Sequence, residues 1–313
     1  MPRQYLKDAS LNAQLEKEGY VVIRMLSDES VKTLTSKFSE AHDEDKIVPF
    51  YATAHHQDTD FREQMGNAIL KELKPAVDET FTDCELLGGS FIVKTKSDQS
   101  LLQPHQDWNI VDENEHRSFN IWIPLVDLTE ENGAIEVLLK SHDWLRGYRH
   151  SSIPCAYQQV HNLVWENMKP LYLKAGEALI YDHSMLHASK ANNTDQLRIA
   201  IASGVKPKEA EMFFYWNSNG IVEQYRSSPE FFMSQDIFAG PTGLEKVADL
   251  AYDFPKVDEM MFCNFAGIEP PVKEVEPDPQ PIEVQSESDS RSFWETYTPM
   301  NIIREINYRL RSR

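Results

Sequence analysis

The residues of this sequence whose types and spacing could do chemistry begin with His105 and Asp107, in the segment LLQPHQDWNIVDE. In an extended strand, residues two apart project from the same face, so the imidazole and the carboxylate would lie side by side and could share one metal ion. An H-x-D triplet also arises by chance in many proteins. Taken by itself, the triplet therefore favours a hydrogen-bonding pair at a strand end over a metal site.

A second segment, KAGEALIYDHSMLHASKANNTDQLRIAIASGV, contains a histidine and an arginine that could act together. Its two apolar runs and the turn-forming residues between them predict a β-hairpin. With the turn centred on residues 192–193, His187 and Arg198 are equally far from it and are expected to face each other across the strand pair. His183 competes with His187 as a metal ligand, but it lacks this symmetric relation to Arg198.

Together, His105, Asp107 and His187 are the ligand set expected of a facial triad, which leaves positions on a ferrous ion open for a chelating co-substrate and O2. Oxygen and nitrogen donors without a cysteine fit Fe(II) better than a structural zinc ion. A bound 2-oxoglutarate would chelate the iron through its 2-oxo acid end. Its distal carboxylate needs a planar, two-pronged partner, and the guanidinium of Arg198 is suited to that role.

The elements that must position these residues change in character near Cys84. The first 80 residues predict helices around one buried strand, YVVIRML; Gly19 is expected to end one helix and Ser27 to begin another. Beyond Cys84, short β-branched or aromatic runs separated by Gly, Asn, Asp or Pro predict many strands. This order predicts a mainly β fold, a sandwich or open barrel with helices packed on one side.

Four segments occur in a specific order: EKEGYVVIRMLSDESVKTL, HQDW, NIWIPLVDLTEENGAIEVLLKSH and AGEALIYDHSMLHASKANNTDQLR. In this order they resemble the phytanoyl-CoA dioxygenase family of iron- and 2-oxoglutarate-dependent oxygenases, over about residues 12–210. The resemblance implies a double-stranded β-helix, or jelly roll, with flanking N-terminal helices. It implies the ligand roles given above and adds Trp122 and Ser189 to the cofactor pocket. The chain departs from the family at residues 139–142, Leu-Lys-Ser-His, where the family usually has Pro-Gly-Ser-His.

The resemblance also implies an activity. The expected enzyme converts 2-oxoglutarate and O2 to succinate and CO2 while it hydroxylates an unactivated C–H bond of a small organic molecule, such as an amino acid, an acyl group or a carrier-bound group. Asp107 favours hydroxylation, because halogenating relatives are expected to have Gly or Ala at that ligand position. The alternatives are a jelly-roll binding protein without turnover, a desaturase or cyclase variant, and another non-haem metalloenzyme on the same scaffold.

Composition restricts the partners of this 313-residue chain. Its 50 acidic and 31 basic residues give a net charge of −19, which argues against nucleic-acid binding because such binding depends on cations. The same acidity makes the body a poor general attractor for a coenzyme A thioester, unless a local basic pocket overrules the average. No apolar run approaches the ~18 residues of a membrane span, and the first residues contain no signal-peptide pattern, so a cytoplasmic location is expected.

The C-terminal part of the chain differs from the rest. Residues 269–292 are rich in acids, prolines and serines with few large apolar residues, which predicts an extended linker after an oxygenase domain at residues 1–268. Residues 293–313 have apolar residues at helical spacing together with several arginines, which predicts a short basic amphipathic helix. This helix either folds back on the acidic body or docks on a partner protein, such as an acidic carrier.

Two further groups of residues have open interpretations. Lys94 and Lys96 are interpreted as solvent-facing strand residues, and contact with an anionic substrate or co-substrate is the alternative. The aromatic segment MFFYWN at residues 212–217 is expected either to line the substrate entrance or to pack in the core.

Overall fold

The computed structural model describes residues 3–234 and 238–270. The chain divides into a compact unit, Met1–Val257, and a second unit, Asp258–Arg313. In the second unit, one helix begins after the capping carboxylate of Asp258, which accepts a hydrogen bond from the backbone N–H of Met261 (2.8 Å). Apart from residues 269–270, the predicted linker and terminal helix lie outside the described residues, and their boundaries stay a prediction.

The α-helices of the described residues cover the N-terminal part of the chain and a few later segments: α1 (Ala9–Glu18), α2 (Asp28–Ala41), α3 (Thr59–Thr80), α4 (His161–Glu166), α5 (Pro229–Ser234) and α6 (Glu259–Ala266). Within the part of the chain that the structure describes, none of them combines the length and the apolar character that a membrane crossing requires.

Strands make up most of the chain beyond α3. They are β1 (Tyr20–Arg24), β2 (Phe50–Ala52), β3 (Cys84–Lys94), β4 (Leu102–His105), β5 (Phe119–Pro124), β6 (Ile135–Val137), β7 (Lys169–Leu171), β8 (Glu177–Asp182), β9 (His187–Ser189), β10 (Arg198–Pro207), β11 (Phe213–Ser218), β12 (Ile221–Arg226) and β13 (Glu245–Leu250).

These strands form two antiparallel sheets that face each other and a third, smaller one. The large sheet has the order β1-β8-β5-β10-β3-β2, and the small sheet has the order β4-β9-β6-β7. From β3 to β10 the chain alternates between these two sheets, apart from the consecutive small-sheet strands β6 and β7, in the pattern of a double-stranded β-helix. The third sheet has the order β11-β12-β13. The predicted mainly β jelly roll with N-terminal helices is confirmed.

Both faces of the large sheet are buried, because helices cover one face and the small sheet covers the other. Along β5, β8 and β10, alternate residues therefore contribute to two separate cores. The core under the helices includes Ile121, Ile180 and Ile201 from the sheet and Leu34, Phe38 and Leu73 from the helices. The core between the sheets includes Trp122, Leu179, Tyr181 and Ala200 from the large sheet and Ile135 and Val137 from the small one.

The N-terminal helices begin and end where the sequence predicts. Ser27 precedes α2, and its hydroxyl accepts a hydrogen bond from the backbone N–H of Ser30 (3.1 Å). Helix α1 ends at Gly19, which adopts the left-handed conformation with φ +81°. This turn leads directly into β1 and sets the edge of the large sheet.

Replacing Gly19 with alanine is expected to destabilise the fold by roughly 2–4 kcal/mol, because the left-handed conformation disfavours a Cβ and space is lacking as well. A Cβ at this position would lie 2.7 Å from Cγ of the buried His142 ring. Gly220 is a matched control: its φ is +90°, and a Cβ there would have no other atom within 4 Å. Gly220→Ala should therefore cost only the backbone penalty of about 1–2 kcal/mol. Urea unfolding measures both values, and equal costs would contradict the steric explanation.

Candidate active site

Two neighbouring strands of the small sheet bring distant parts of the sequence together. His105 is the last residue of β4, His187 is the first residue of β9, and the two are paired in the β4–β9 register. Their ring centroids are 4.2 Å apart. Asp107 follows β4, and one ligand atom from each of these three residues lies within 4.8 Å of the other two. Among the described residues, this is the group of His, Cys, Asp and Glu side chains that could hold a metal ion.

Backbone carbonyls fix the orientation of both imidazoles. Nδ1 of His105 donates to the carbonyl oxygen of Gln103 (2.8 Å), and Nδ1 of His187 donates to that of Met185 (3.0 Å). In the neutral tautomers that these hydrogen bonds fix, the Nε2 atoms carry no hydrogen, and they lie 3.9 Å and 3.7 Å from Oδ1 of Asp107. Burial, together with the nearby His187, lowers the pKa of His105 to about 4, so this ring is neutral and able to bind a metal at neutral pH.

The carboxylate of Asp107 is held from one side. Its Oδ2 accepts hydrogen bonds from the hydroxyl of Tyr181 (2.9 Å) and from Nδ2 of Asn120 (3.0 Å). Burial by itself raises the pKa of Asp107, but the neighbouring imidazoles and the Asn120 hydrogen bond outweigh it and hold the pKa below its usual range. Burial also raises the pKa of Tyr181 well above its usual value, so the phenol stays protonated. Two imidazole nitrogens and one carboxylate oxygen fit a ferrous ion.

His183, the competing ligand candidate, does not belong to this group of three. Its ring is buried, and its Nδ1 lies 2.8 Å from the hydroxyl of Ser118. Burial lowers the pKa of His183, as expected for a neutral imidazole in the interior. The geometry therefore favours His187 over His183 as the third ligand.

A largely enclosed arginine that the sequence analysis missed holds the segment after β4. Nε of Arg149 donates to the carbonyl oxygen of Asp107 (2.8 Å), and its guanidinium is ion-paired with Glu113. The backbone N–H of Arg149 also donates to the side chain of Asn109 (2.8 Å). These contacts fix the backbone that carries the carboxylate ligand. No local pattern marks Arg149 in the sequence, because its partners lie 36 to 42 residues away.

The structure places Arg198 differently from the predicted hairpin. His187 lies in the small sheet and pairs with His105, whereas Arg198 begins β10 of the large sheet and pairs with Lys94. The predicted pairing of His187 with Arg198 across one hairpin is therefore wrong. The turn-forming residues between them make a crossing between two sheets instead. Buried Asn192 fixes this crossing, since its side-chain NH2 donates to the carbonyl oxygen of Lys94 (3.1 Å).

Arg198 is a buried cation that has no acidic partner among the described residues. Its side chain is almost completely enclosed, and its guanidinium carbon lies 5.3 Å from the ring centroid of Trp122. Within residues 3–234 and 238–270, no carboxylate forms an ion pair with it, and its Nε has no hydrogen-bond partner. Burial lowers the pKa of Arg198 to about 9, so the group is still charged at neutral pH. An unpaired buried charge is costly, and its presence indicates a site for an anionic ligand.

A second buried cation lies beside Arg198. Lys94 is fully buried, so its interpretation as a solvent-facing residue is wrong. Its Nζ crosses to the small sheet and donates to the carbonyl oxygens of Ser189 (2.9 Å) and Lys190 (2.6 Å). Burial and the charge of Arg198 hold the pKa of Lys94 well below its usual value. This lysine therefore connects Arg198 with the strand of His187, and the basic surroundings fit one end of a dicarboxylate.

The aromatic side chains of β11 pack in two different clusters, because alternate residues of a strand face opposite sides of the sheet. Tyr215 packs with Val222 in a core of the third sheet. Phe214 and Trp216 instead pack against the buried ring of His150, at centroid distances of 4.5 Å and 5.4 Å. The core alternative thus holds for Tyr215, Phe214 and Met212, which are all buried, whereas Trp216 is half-buried.

The cluster around His150 includes the residue that follows Asp107 in the chain. Trp108 directly follows Asp107, and its ring centroid lies 4.1 Å from that of His150. We call Trp108, His150, Phe214 and Trp216 the ring cluster. Nδ1 of His150 accepts a hydrogen bond from the backbone N–H of Ser152 (3.4 Å), which places the proton of the neutral ring on Nε2. Nε2 has no hydrogen-bond partner in the described part of the chain.

Replacing His150 with phenylalanine is expected to reduce the loss of stability in acid. Burial lowers the pKa of His150 from 6.5 to about 3, so the unfolded chain binds a proton below pH 6.5 while the folded protein does not. The stability from this group is complete above about pH 7 and is lost as the pH falls toward 3. Between pH 7.5 and 5, the wild-type protein should lose about 2 kcal/mol more of its free energy of unfolding than His150→Phe.

Urea unfolding at the two pH values measures this difference. Trp216→Phe is the control, because it alters the ring cluster without removing a titratable group, and it should lose as much stability between the two pH values as the wild-type protein. An equal loss for His150→Phe and the wild-type protein would show that His150 is protonated in the folded state.

The fold and the site together define a class of protein. A jelly roll that holds two histidines and one aspartate around a common point has the ligand arrangement of the non-haem iron oxygenases. The sequence profile of the phytanoyl-CoA dioxygenase family matches residues 15–200, and the chain belongs to this family of iron- and 2-oxoglutarate-dependent oxygenases. The resemblance found in the sequence motifs is confirmed.

Solved structures show a more distant similarity. HygX from Streptomyces hygroscopicus, crystallised with nickel, 2-oxoglutarate and hygromycin B, is 13% identical, with 64% of this chain and 88% of HygX covered and a TM-score of 0.45. The carbocyclase SnoK from nogalamycin biosynthesis is 16% identical, with 66% and 86% covered and a TM-score of 0.46. The epimerase SnoN from the same biosynthesis is 18% identical, with 79% and 95% covered and a TM-score of 0.48.

Proposed function

We propose that this protein is an Fe(II)- and 2-oxoglutarate-dependent dioxygenase that hydroxylates an unactivated C–H bond of a small organic molecule. The observation that carries the proposal is the convergence of His105, Asp107 and His187, with their free donor atoms within 4.8 Å of one another. The ion would couple O2 and the decarboxylation of 2-oxoglutarate to succinate and CO2 with oxidation of the substrate.

The three ligands have separate roles in this proposal. His105 and His187 bind Fe(II) through Nε2, since each Nδ1 is used by a backbone carbonyl. Asp107 binds it through Oδ1, since Oδ2 accepts two hydrogen bonds from the large sheet. Three protein donors on one face leave the other positions for the co-substrate and O2.

The co-substrate site lies at the two buried cations. Arg198 binds the distal carboxylate of 2-oxoglutarate with its guanidinium fork, and Lys94, its partner in the β3–β10 register, lies beside it. The face of Trp122 covers the guanidinium. Ser189 lies two residues after His187 on the same strand, and its carbonyl oxygen fixes Nζ of Lys94. A local basic site of this kind binds a dianion despite the net charge of −19.

The ring cluster is the proposed substrate side of the site. Trp108 of the cluster follows Asp107 in the chain, and His150 follows Arg149, whose Nε donates to the Asp107 carbonyl oxygen. The cluster offers apolar faces together with one buried N–H donor, Nε2 of His150. Apolar walls with few polar groups are typical of small-molecule sites and exclude water from the reacting centre.

The decisive experiment measures products directly. Purified protein is loaded anaerobically with Fe(II) and given O2, 2-oxoglutarate and a panel of amino acids and acyl thioesters. Succinate formation tests the oxygenase assignment, and a product mass increase of about 16 tests hydroxylation. Asp107→Ala is the matched control, because it removes one proposed ligand.

Each alternative predicts a different result. A binding protein without turnover forms no succinate with any member of the panel and binds no iron. A desaturase or cyclase forms succinate and a product that has lost about two mass units. The cytoplasmic location and the docking of the C-terminal segment on a partner protein stay predictions.

A further inference from the structure

We infer that Tyr181 and Asn120 are positioning residues that hold Asp107 as a one-oxygen metal ligand and so keep a coordination position open for the reaction. The inference rests on the proposed function, because it concerns how the chain would present Asp107 to the metal. It begins with the two hydrogen bonds on Oδ2 of Asp107, 2.9 Å from the Tyr181 hydroxyl and 3.0 Å from Nδ2 of Asn120.

Both donors come from the large sheet, whereas the histidine ligands come from the small sheet. Asn120 on β5 and Tyr181 on β8 are direct partners in the strand register. Nδ2 of Asn120 donates its second hydrogen to the Tyr181 hydroxyl (3.0 Å). The reverse amide orientation would place two acceptor oxygens against each other at Asp107, so the carboxylate itself fixes the amide. The three side chains form a closed triangle of hydrogen bonds.

The hydrogen bonds of this triangle occupy the acceptor positions of one carboxylate oxygen of Asp107, Oδ2. Each carboxylate oxygen accepts about two hydrogen bonds in its plane, so Oδ2 is saturated by its two donors. Oδ1 is left free on the side where Nε2 of His105 and Nε2 of His187 lie. A metal in this place would therefore meet one oxygen of Asp107 rather than both.

The number of bound oxygens matters for the chemistry. A six-coordinate ion with three protein donors keeps three positions, two for a chelating 2-oxoglutarate and one for O2. If Asp107 bound through both oxygens, its second oxygen would occupy one of these three positions. The two hydrogen-bond donors on Oδ2 thus keep a coordination position open for a small ligand, although they do not contact that ligand.

The Tyr181 hydroxyl has a second possible hydrogen-bond acceptor besides Oδ2 of Asp107, and metal binding determines which of the two accepts its hydrogen. Its oxygen also lies 3.2 Å from Nε2 of His187. A single hydroxyl hydrogen can serve either Nε2 or Oδ2, but an Nε2 that binds a metal can no longer accept it. Metal binding therefore commits this hydrogen to Asp107 and tightens the hold on the carboxylate when it is needed.

The test uses Co(II), a coloured ion of similar ligand preference, with the full-length protein. In Tyr181→Phe the ring stays and one donor on Oδ2 is lost, so we expect Co(II) affinity to fall about 10-fold or more and the Co(II) absorption spectrum to change. Crystals of the Co(II) complex should show both Asp107 oxygens near the ion.

Tyr51→Phe is the matched control. The Tyr51 hydroxyl also contacts an imidazole Nε2, that of His42 (3.0 Å), but outside the site, so its loss should leave Co(II) affinity and spectrum unchanged. Asn120→Leu removes the other donor and carries the same expectation should Tyr181→Phe not fold. Wild-type affinity, spectrum and one-oxygen binding in the variants would overturn the inference alone. A wild-type protein that binds no Co(II) would overturn the proposed function and this inference with it.

Discussion

Arg198→Met is expected to make the ligand-free protein more stable and at the same time to abolish tight binding of 2-oxoglutarate. In the ligand-free state the guanidinium is buried without an acidic partner, so its replacement by an apolar side chain of similar length should raise the free energy of unfolding by roughly 1–3 kcal/mol. Loss of a two-pronged charged contact should weaken 2-oxoglutarate at least ~100-fold, or about 3 kcal/mol. Thermal unfolding and calorimetric titration of the metal-loaded protein measure the two effects.

Arg149→Met is the control for this prediction, since the Arg149 side chain is only 10% exposed but is ion-paired with Glu113. Its loss leaves the largely enclosed carboxylate of Glu113 unpaired and should destabilise the protein by about 3 kcal/mol. Opposite signs for the two arginines are therefore expected. If Arg198→Met destabilised the protein and left 2-oxoglutarate affinity unchanged, Arg198 would be a structural residue.

His187→Asn is expected to lower iron affinity by at least ~100-fold and to stop succinate formation, because asparagine can replace Nδ1 but has no atom at the position of Nε2. The matched variant is His183→Asn, which preserves a polar contact to Ser118, the partner of Nδ1 in the wild-type protein. It should keep iron affinity within a few-fold of the wild-type value. Equilibrium dialysis with Fe(II) under argon measures both, and the reverse ranking would make His183 the ligand.

The metal-ligand candidates can be predicted from the sequence because their chemistry is local or follows from residue type. His105 and Asp107 are two residues apart, which places them on the same face of a strand. The third ligand is a distant imidazole, and the sequence has to be searched for it separately. The sequence favours His187 through its symmetry with Arg198 in a hairpin that does not exist. His187 and Arg198 nevertheless both point into the space between the two sheets, because each lies on the side of its strand, β9 or β10, that faces the other sheet.

The buried lysine shows why the rest is harder to predict. The general behaviour of lysine favours an exposed position for Lys94. The run SFIVK is apolar at both alternating positions around it, which is typical of a strand covered on both faces and is a signal of burial. Tyr181, Asn120 and Arg149 have no such signal. Their roles depend on partners 13 to 74 residues away, and only the folded chain shows these pairs.

The pairing of β1 with β8 has a consequence for folding during translation. Tyr20 of β1 is in register with Tyr181 of β8, so strand β1 must wait for a partner made about 160 residues later. At translation rates of ~5–20 residues per second, the wait is roughly 10–30 s. During this time the apolar strand YVVIR is an unpaired edge, open to chaperones and to association with other nascent chains.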